Sequence, residues 1–222
     1  MRPPFADSPE FVRLLGHDPG VDLARVALEV ARDAYPGLAL DAYLARIDDL
    51  AARVRGRCSA TEKYRQVLGQ INWVLFVEEG FHGNADDYYD PRNSYLNEVL
   101  DTCERLVAER PEVLYGRVAG GLGLEVGGMT LPYHFMLRVG RGGMAVYVDP
   151  YDGGAVLDRE GCRARLTRQT GREVVLGEAD FTPCRPDEVV ARMLRNLKAI
   201  YLREHDYPAA VPVQRRLAAL RP

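Results

Sequence analysis

Leu131-Pro-Tyr-His-Phe-Met-Leu-Arg-Val-Gly-Arg-Gly-Gly-Met-Ala-Val-Tyr-Val-Asp-Pro150 holds two alternating segments around a glycine-rich break. With Gly140-Arg-Gly-Gly143 as the turn, Val139 is expected to pair with Met144, Leu137 with Val146 and Phe135 with Val148. One face of that hairpin is wholly apolar, and the other carries Arg138, Met136 and His134, the last directly opposite Asp149. Strand side chains alternate between faces, so a slip of one residue would turn the apolar set outward. Cβ atoms of opposed residues lie about 5 Å apart, within reach of a carboxylate–imidazole hydrogen bond. The stretch therefore predicts antiparallel strands with His134 and Asp149 on one face.

Working outward, the period on the N-terminal side is helical. Ser8-Pro9-Glu10 reads as a helix start with serine as N-cap. Further helices are expected from about 22 to 34, and from Asp41 through Leu44, Ile47, Leu50 and Val54. Ser59-Ala-Thr-Glu62 is a capping box opening a helix that runs to Gly80. Leu96, Val99, Leu100, Cys103, Leu106 and Val107 form one face of the next helix, and Pro111 restarts another that ends near Gly120–Gly123. Strands follow at about 125–131, 133–139, 144–149 and 173–176, with a helix near 158–169 between the last two, and two helices close the chain. Helices followed by a run of strands predict an α+β fold with one sheet face covered by helices.

The bulk properties exclude several classes. A chain of 222 residues with 47% hydrophobic and 27% charged residues suits one globular core. The net charge of −3, without a basic stripe carrying interleaved aromatics, gives nucleic acid no attraction. Cys58, Cys103, Cys162 and Cys184 are widely spaced, and so are His17, His82, His134 and His205, so no metal-ligand spacing arises. Glu78-Glu79 with Asp86, Asp87 and Asp90 lacks the alternation of a calcium loop. The glycine runs lack the strand-then-helix context of a phosphate loop, so no cofactor is expected. No stretch is apolar enough to span a bilayer or to act as a secretory signal, and the expected location is the cytoplasm with reduced thiols.

Leu194, Leu197, Tyr201, Ala210 and Pro222 fall at tetratricopeptide spacings, although Lys198, Gln214 and Leu217 depart from that pattern. An ordinary helical hairpin fits the same spacing. Either way, an apolar face using Leu194, Leu197, Tyr201 and Leu217 must be covered by the main domain, by another repeat or by a second copy of the chain.

A histidine oriented by an aspartate is two-thirds of a nucleophilic triad. Several motifs together resemble the transglutaminase-like cysteine-enzyme superfamily, and within it the bacterial SirB-type branch. They are Asp86-Asp-Tyr-Tyr-Asp-Pro-Arg-Asn-Ser-Tyr-Leu-Asn-Glu-Val-Leu100, Leu131-Pro-Tyr-His-Phe135, Val148-Asp-Pro-Tyr-Asp-Gly-Gly154 and Arg192-Met-Leu-Arg-Asn-Leu-Lys-Ala-Ile-Tyr-Leu202. The resemblance runs from about Ser59 to the end. It implies a papain-like core with an antiparallel sheet, and C-terminal tetratricopeptide repeats. On it the chain divides into a helical N-terminal layer (1–58), a transglutaminase-like core (59–185) and a C-terminal helical hairpin (186–222).

The resemblance assigns His134 as base and Asp149 as its orienter. In the catalytic relatives a cysteine opens the helix before the strands; four turns back from Gly123 lies Ala108. The SirB-type branch generally has Gly-Ile-Pro-Ile there instead, and this chain reads Ala108-Glu-Arg-Pro-Glu-Val113, matching neither. Cys103 is the nearest candidate nucleophile, but it sits mid-helix on an apolar face, which suits a structural cysteine. Ser94 near a helix start reads as an N-cap or loop residue. The expected function is a non-catalytic interaction or scaffold module with a protein or peptide partner, without nucleic acid or membrane, and with self-association possible through the C-terminal hairpin. The alternative is a cysteine-type amide hydrolase or acyltransferase using His134, Asp149 and a displaced Cys103.

Overall fold

A computed structural model describes residues 4–59, 64–82, 89–102, 110–132, 134–140 and 145–220. Helices α1 (Pro9–Leu15), α2 (Leu23–Ala31), α3 (Leu40–Arg57) and α4 (Tyr64–Asn72) come first. A π-helical turn (Trp73–Glu78), a 3-10 turn (Pro91–Ser94), α5 (Leu96–Thr102) and α6 (Arg110–Gly120) follow. Strands β1 (Val126–Leu131), β2 (His134–Val139), β3 (Val146–Asp149) and β4 (Ala155–Leu157) form an antiparallel sheet in sequence order. After it come α7 (Arg159–Thr170), a 3-10 turn (Glu178–Phe181), α8 (Pro186–Arg203) and α9 (Tyr207–Leu220). The architecture is mixed helix and small antiparallel sheet, as the change of period along the chain predicts.

The hairpin register differs from the expected one by two residues. Val139 pairs with Val146, Arg138 with Tyr147 and Leu137 with Val148. The connection spans six residues, 140–145, instead of four. Two is the side-chain period of a strand, so the face assignment is unchanged. Phe135, Leu137, Val139, Val146 and Val148 all join the main apolar cluster with α3, α4 and α6.

The opposite sheet face is also covered, contrary to the one-sided expectation. Met129, Leu131, Met136 and Tyr147 pack there against Cys162 and Leu166 of α7 and against Phe181. The segment 173–176 is no strand: Val175 is 85% exposed, and Val174 N–H donates to Thr167 Oγ1 at 3.3 Å. The place beside β3 is taken by β4, which a tight turn delivers immediately after Asp149.

Helix α2 divides two clusters. Its Ala24, Ala27 and Leu28 face the main core, while Val26, Val30 and Ala31 join Phe11, Leu14, Leu194, Leu197, Tyr201, Val213 and Leu217. The C-terminal pair thus buries its apolar face against α1 and α2 of its own chain. Ser8 does not cap α1. Instead the buried Glu29 carboxylate accepts the Glu10 and Phe11 amides at 3.1 and 2.8 Å. Ser8 Oγ accepts from Arg216 of α9 at 3.0 Å, and Arg216 also pairs with Asp33 at 2.7 Å.

The turn from β3 to β4 is locked to the helical half. Asn72 Nδ2 donates to the Gly154 carbonyl at 2.6 Å, and its Oδ1 accepts from Tyr115 Oη at 3.0 Å. Gly154 has φ +77°, and a Cβ there would lie 2.5 Å from the Asn72 side chain and 2.6 Å from Phe76. Gly153 has φ +56° with nothing within 4 Å of its Cβ position. Gly154→Ala is expected to cost at least about 2 kcal/mol of unfolding free energy, from left-handed strain plus overlap. Gly153→Ala should cost about 1 kcal/mol, from strain alone. Equal losses in urea denaturation would refute the clamp.

Candidate functional site

The site is built around Asp149, the last residue of β3 and fully buried. Its carbonyl accepts the Asp152 and Gly154 amides at 3.2 and 3.0 Å, which closes the turn into β4. Its Oδ1 accepts the Tyr151 amide at 3.0 Å. Its Oδ2 lies 3.0 Å from His134 Nε2 and 3.0 Å from Arg165 Nε. Neither His134 Nε2 nor Asp149 Oδ2 completes an aligned hydrogen bond, so the three groups are held in close polar contact around one shared oxygen.

The two-residue register shift makes His134 and Asp149 diagonal neighbours. Diagonal Cβ atoms on one sheet face lie about 7–8 Å apart, a gap that an imidazole spans. His134 is itself nearly buried, with the Tyr151 ring 5.4 Å from its own. Nε2 faces the carboxylate, so Nδ1 is the nitrogen left for a reacting group, and it makes no hydrogen bond among the described residues.

Arg165 is the site residue that sequence reading missed. It projects from α7, where Asp158 caps the helix through the Gly161 amide at 2.8 Å. Cys162, Arg165 and Leu166 share one face at helical spacing, and that face lies on the sheet. A charge standing between two apolar positions at spacings of three and one was the available signal. Arg165 also reaches Asp152 Oδ2 at 3.1 Å, so it bridges both ends of the turn. Its charge is permanent, so the buried carboxylate is balanced whether or not His134 carries a proton.

The other sequence candidates stand apart from this centre. Cys103 and Ala108 lie outside the described residues, as do Asp86 and Asp87. Cys58, Cys162 and Cys184 form no disulfide among the described residues, and no hydrogen bond joins Cys162 or Cys184 to His134. Cys162 lies near Asp149, but burial pushes its thiol up to about 12, with the Asp158 and Asp149 charges acting in the same direction. It is a packing residue. Ser94 is buried in its 3-10 turn, beside Asp90, whose carboxylate accepts the Arg92 amide at 2.8 Å. Glu78 and Glu79 pair with Arg53, and Glu78 also pairs with Arg57. No carboxylate, cysteine and histidine group among the described residues could hold a metal ion.

The histidine strand β2 thus pairs with the aspartate strand β3, and helices pack on both faces of the sheet. The Transglutaminase-like superfamily profile matches residues 41–195, and the chain belongs to that superfamily. It is 31% identical over 210 residues to a UPF0162 protein of Xylella fastidiosa, covering 92% of this chain and 74% of that one. A UPF0162 protein of Vibrio cholerae is 26% identical over 139 residues, 62% of this chain and 51% of its own. The mouse F-box only protein 21 is 32% identical over 147 residues, which make up 64% of this chain but 23% of that protein. No solved structure matches the chain significantly.

If Arg165 balances Asp149, Arg165→Ala should lower unfolding free energy by about 3 kcal/mol, because it leaves a buried carboxylate short of its partner. In an Asp149→Asn background the same change should cost much less, giving a coupling of about 1–3 kcal/mol in a double-mutant cycle. Additive losses in that cycle would show that the two side chains act independently.

Proposed function

We propose that this chain is a transglutaminase-like module without thiol chemistry of its own, working as an interaction or scaffold domain in the cytoplasm. The observation that carries this reading is the state of Asp149. Its carboxylate is enclosed by a backbone amide, by Arg165 and by His134, and it joins β2, the β3–β4 turn and α7. A carboxylate enclosed in this way by its own fold acts as a structural junction, and the histidine beside it makes no hydrogen bond to a thiol or hydroxyl among the described residues. A second support is that a comparable region makes up less than a quarter of the mouse relative, which is how a transferable module is used. In this reading 1–58 is a helical layer, 59–185 the core, and 186–222 a hairpin related to the tetratricopeptide repeats of the SirB-type branch.

A second reading keeps the chemistry. His134 presents Nε2 to Asp149 and leaves Nδ1 unbonded, which is the orientation a thiol-activating histidine needs. Cys103 would supply the nucleophile of an amide hydrolase or acyltransferase.

Under the first reading, purified protein shows no transamidation or amidase turnover on glutamine donors or generic peptides. Cys103 is alkylated by iodoacetamide only slowly in the folded state. Rapid alkylation of Cys103 at neutral pH, slowed at least tenfold by His134→Ala, would establish a Cys–His pair and favour the second reading.

A further inference from the structure

Over 186–220 the C-terminal pair carries six cations and four carboxylates, and the carboxylates, Asp187, Glu188, Glu204 and Asp206, lie in the first turn of α8 and in the link between the helices. Three of the six are engaged by the rest of the fold. Arg192 donates to Thr130 Oγ1 at 3.0 Å, Arg203 stacks 3.9 Å over the Tyr89 ring, and Arg216 pairs with Asp33. The other three, Arg195, Lys198 and Arg215, have no hydrogen bond or ion pair among the described residues. Arg195 and Arg215 are exposed, and Lys198 is half-buried.

Arg195 and Lys198 flank a groove of about 290 Å³ between α8 and α9. Its walls include Leu202 and Ala199 from α8 and Gln214 and Leu217 from α9. Residues 195, 198, 199 and 202 form one stripe of α8, and 211, 214 and 218 form a stripe of α9. Leu202 and Val211 leave 43% and 47% of their surface in solvent. An apolar trough between two packed helices accepts a third helix, and unneutralised cations along its edge select the charge of that helix.

We propose that the outer groove of the α8–α9 pair is a docking surface for an acidic amphipathic helix of a partner protein. Apolar side chains of the guest lie over Leu202 and Leu217, and its carboxylates pair with Arg195 and Lys198. The proposal rests on the module reading above and supplies its partner class. A nucleic acid would use the cations but has no use for the apolar trough, and an anionic membrane takes up protruding apolar side chains and has no counterpart to a concave groove.

The test uses the full chain and two fluorescein-labelled 18-residue amphipathic peptides, one with leucine and glutamate, one with leucine and lysine, followed by anisotropy. The glutamate peptide is expected to bind saturably in about 0.1 M salt and to weaken as salt rises. Arg195→Glu with Lys198→Glu should weaken it at least tenfold, and Leu202→Asp should do the same, each with an unchanged thermal midpoint. No saturable binding, equal binding of the lysine peptide, or indifference to these variants overturns the proposal. So does tighter binding to anionic vesicles or to an oligonucleotide. Sedimentation as a dimer that Leu202→Asp converts to monomer also overturns it, in favour of a second copy in the groove. The assay reads no catalysis, so its failure leaves the module reading standing, and a reactive Cys103 would remove that reading without touching the groove.

Discussion

The sheet half of this protein is organised by one buried carboxylate. Removing a charge from water is costly unless it is paired and hydrogen-bonded, so a buried aspartate dictates what surrounds it. Asp149 obtains the Tyr151 amide by bending the chain sharply after β3, and that bend delivers β4 to the sheet edge. It takes Arg165 from the helix that follows, which fixes how α7 lies across the second face. It takes His134 from the neighbouring strand. Three separate stretches of sequence meet at one oxygen pair, and the polar demand of Asp149 orients each of them.

The helical half meets this centre through Asn72. Its amide uses both ends, donating to the Gly154 carbonyl and accepting from Tyr115, whose buried hydroxyl is driven far above its ordinary range by desolvation and so remains a donor. Asn72 stands where α4 widens into the π-helical turn, a local insertion that re-aims the following side chains. Leu75 and Val74 point inward there, while Trp73 and Val77 remain half in solvent. The close approach of helix to turn is possible because position 154 has no Cβ.

Much of this was legible in the sequence, for reasons that differ by residue. The faces of β2 and β3 followed from alternation, and face assignment survives any register error of two. The register itself did not follow, because it depends on the conformation of the 140–145 connection, and a glycine-rich stretch permits more than one length of turn. Glu173–Leu176 carries a strand-like pattern, but pairing is decided by which segment the preceding turn brings to the open edge. Ser8 is a good N-cap by composition, yet Glu29 from a distant helix supplies the capping oxygens and Arg216 takes the serine hydroxyl. Arg165 was hidden because its partner is fixed only once α7 is laid on the sheet. Local chemistry was readable; long-range partner choice was not.

The association of Phe11, Leu14, Val26 and Val30 with Leu194, Leu197, Val213 and Leu217 has a consequence for synthesis. On the ribosome α1 and α2 emerge early, but the surface that covers them is encoded about 170 residues later. Chain growth of about 5–20 residues per second leaves those side chains unmatched for roughly ten seconds or more. Glu29 can cap α1 within that interval, whereas the Arg216 contacts to Ser8 and Asp33 can form only when α9 has emerged. Nascent chains of this protein therefore pass through a stage in which α1 and α2 are natural clients for a chaperone that recognises bare aliphatic surface.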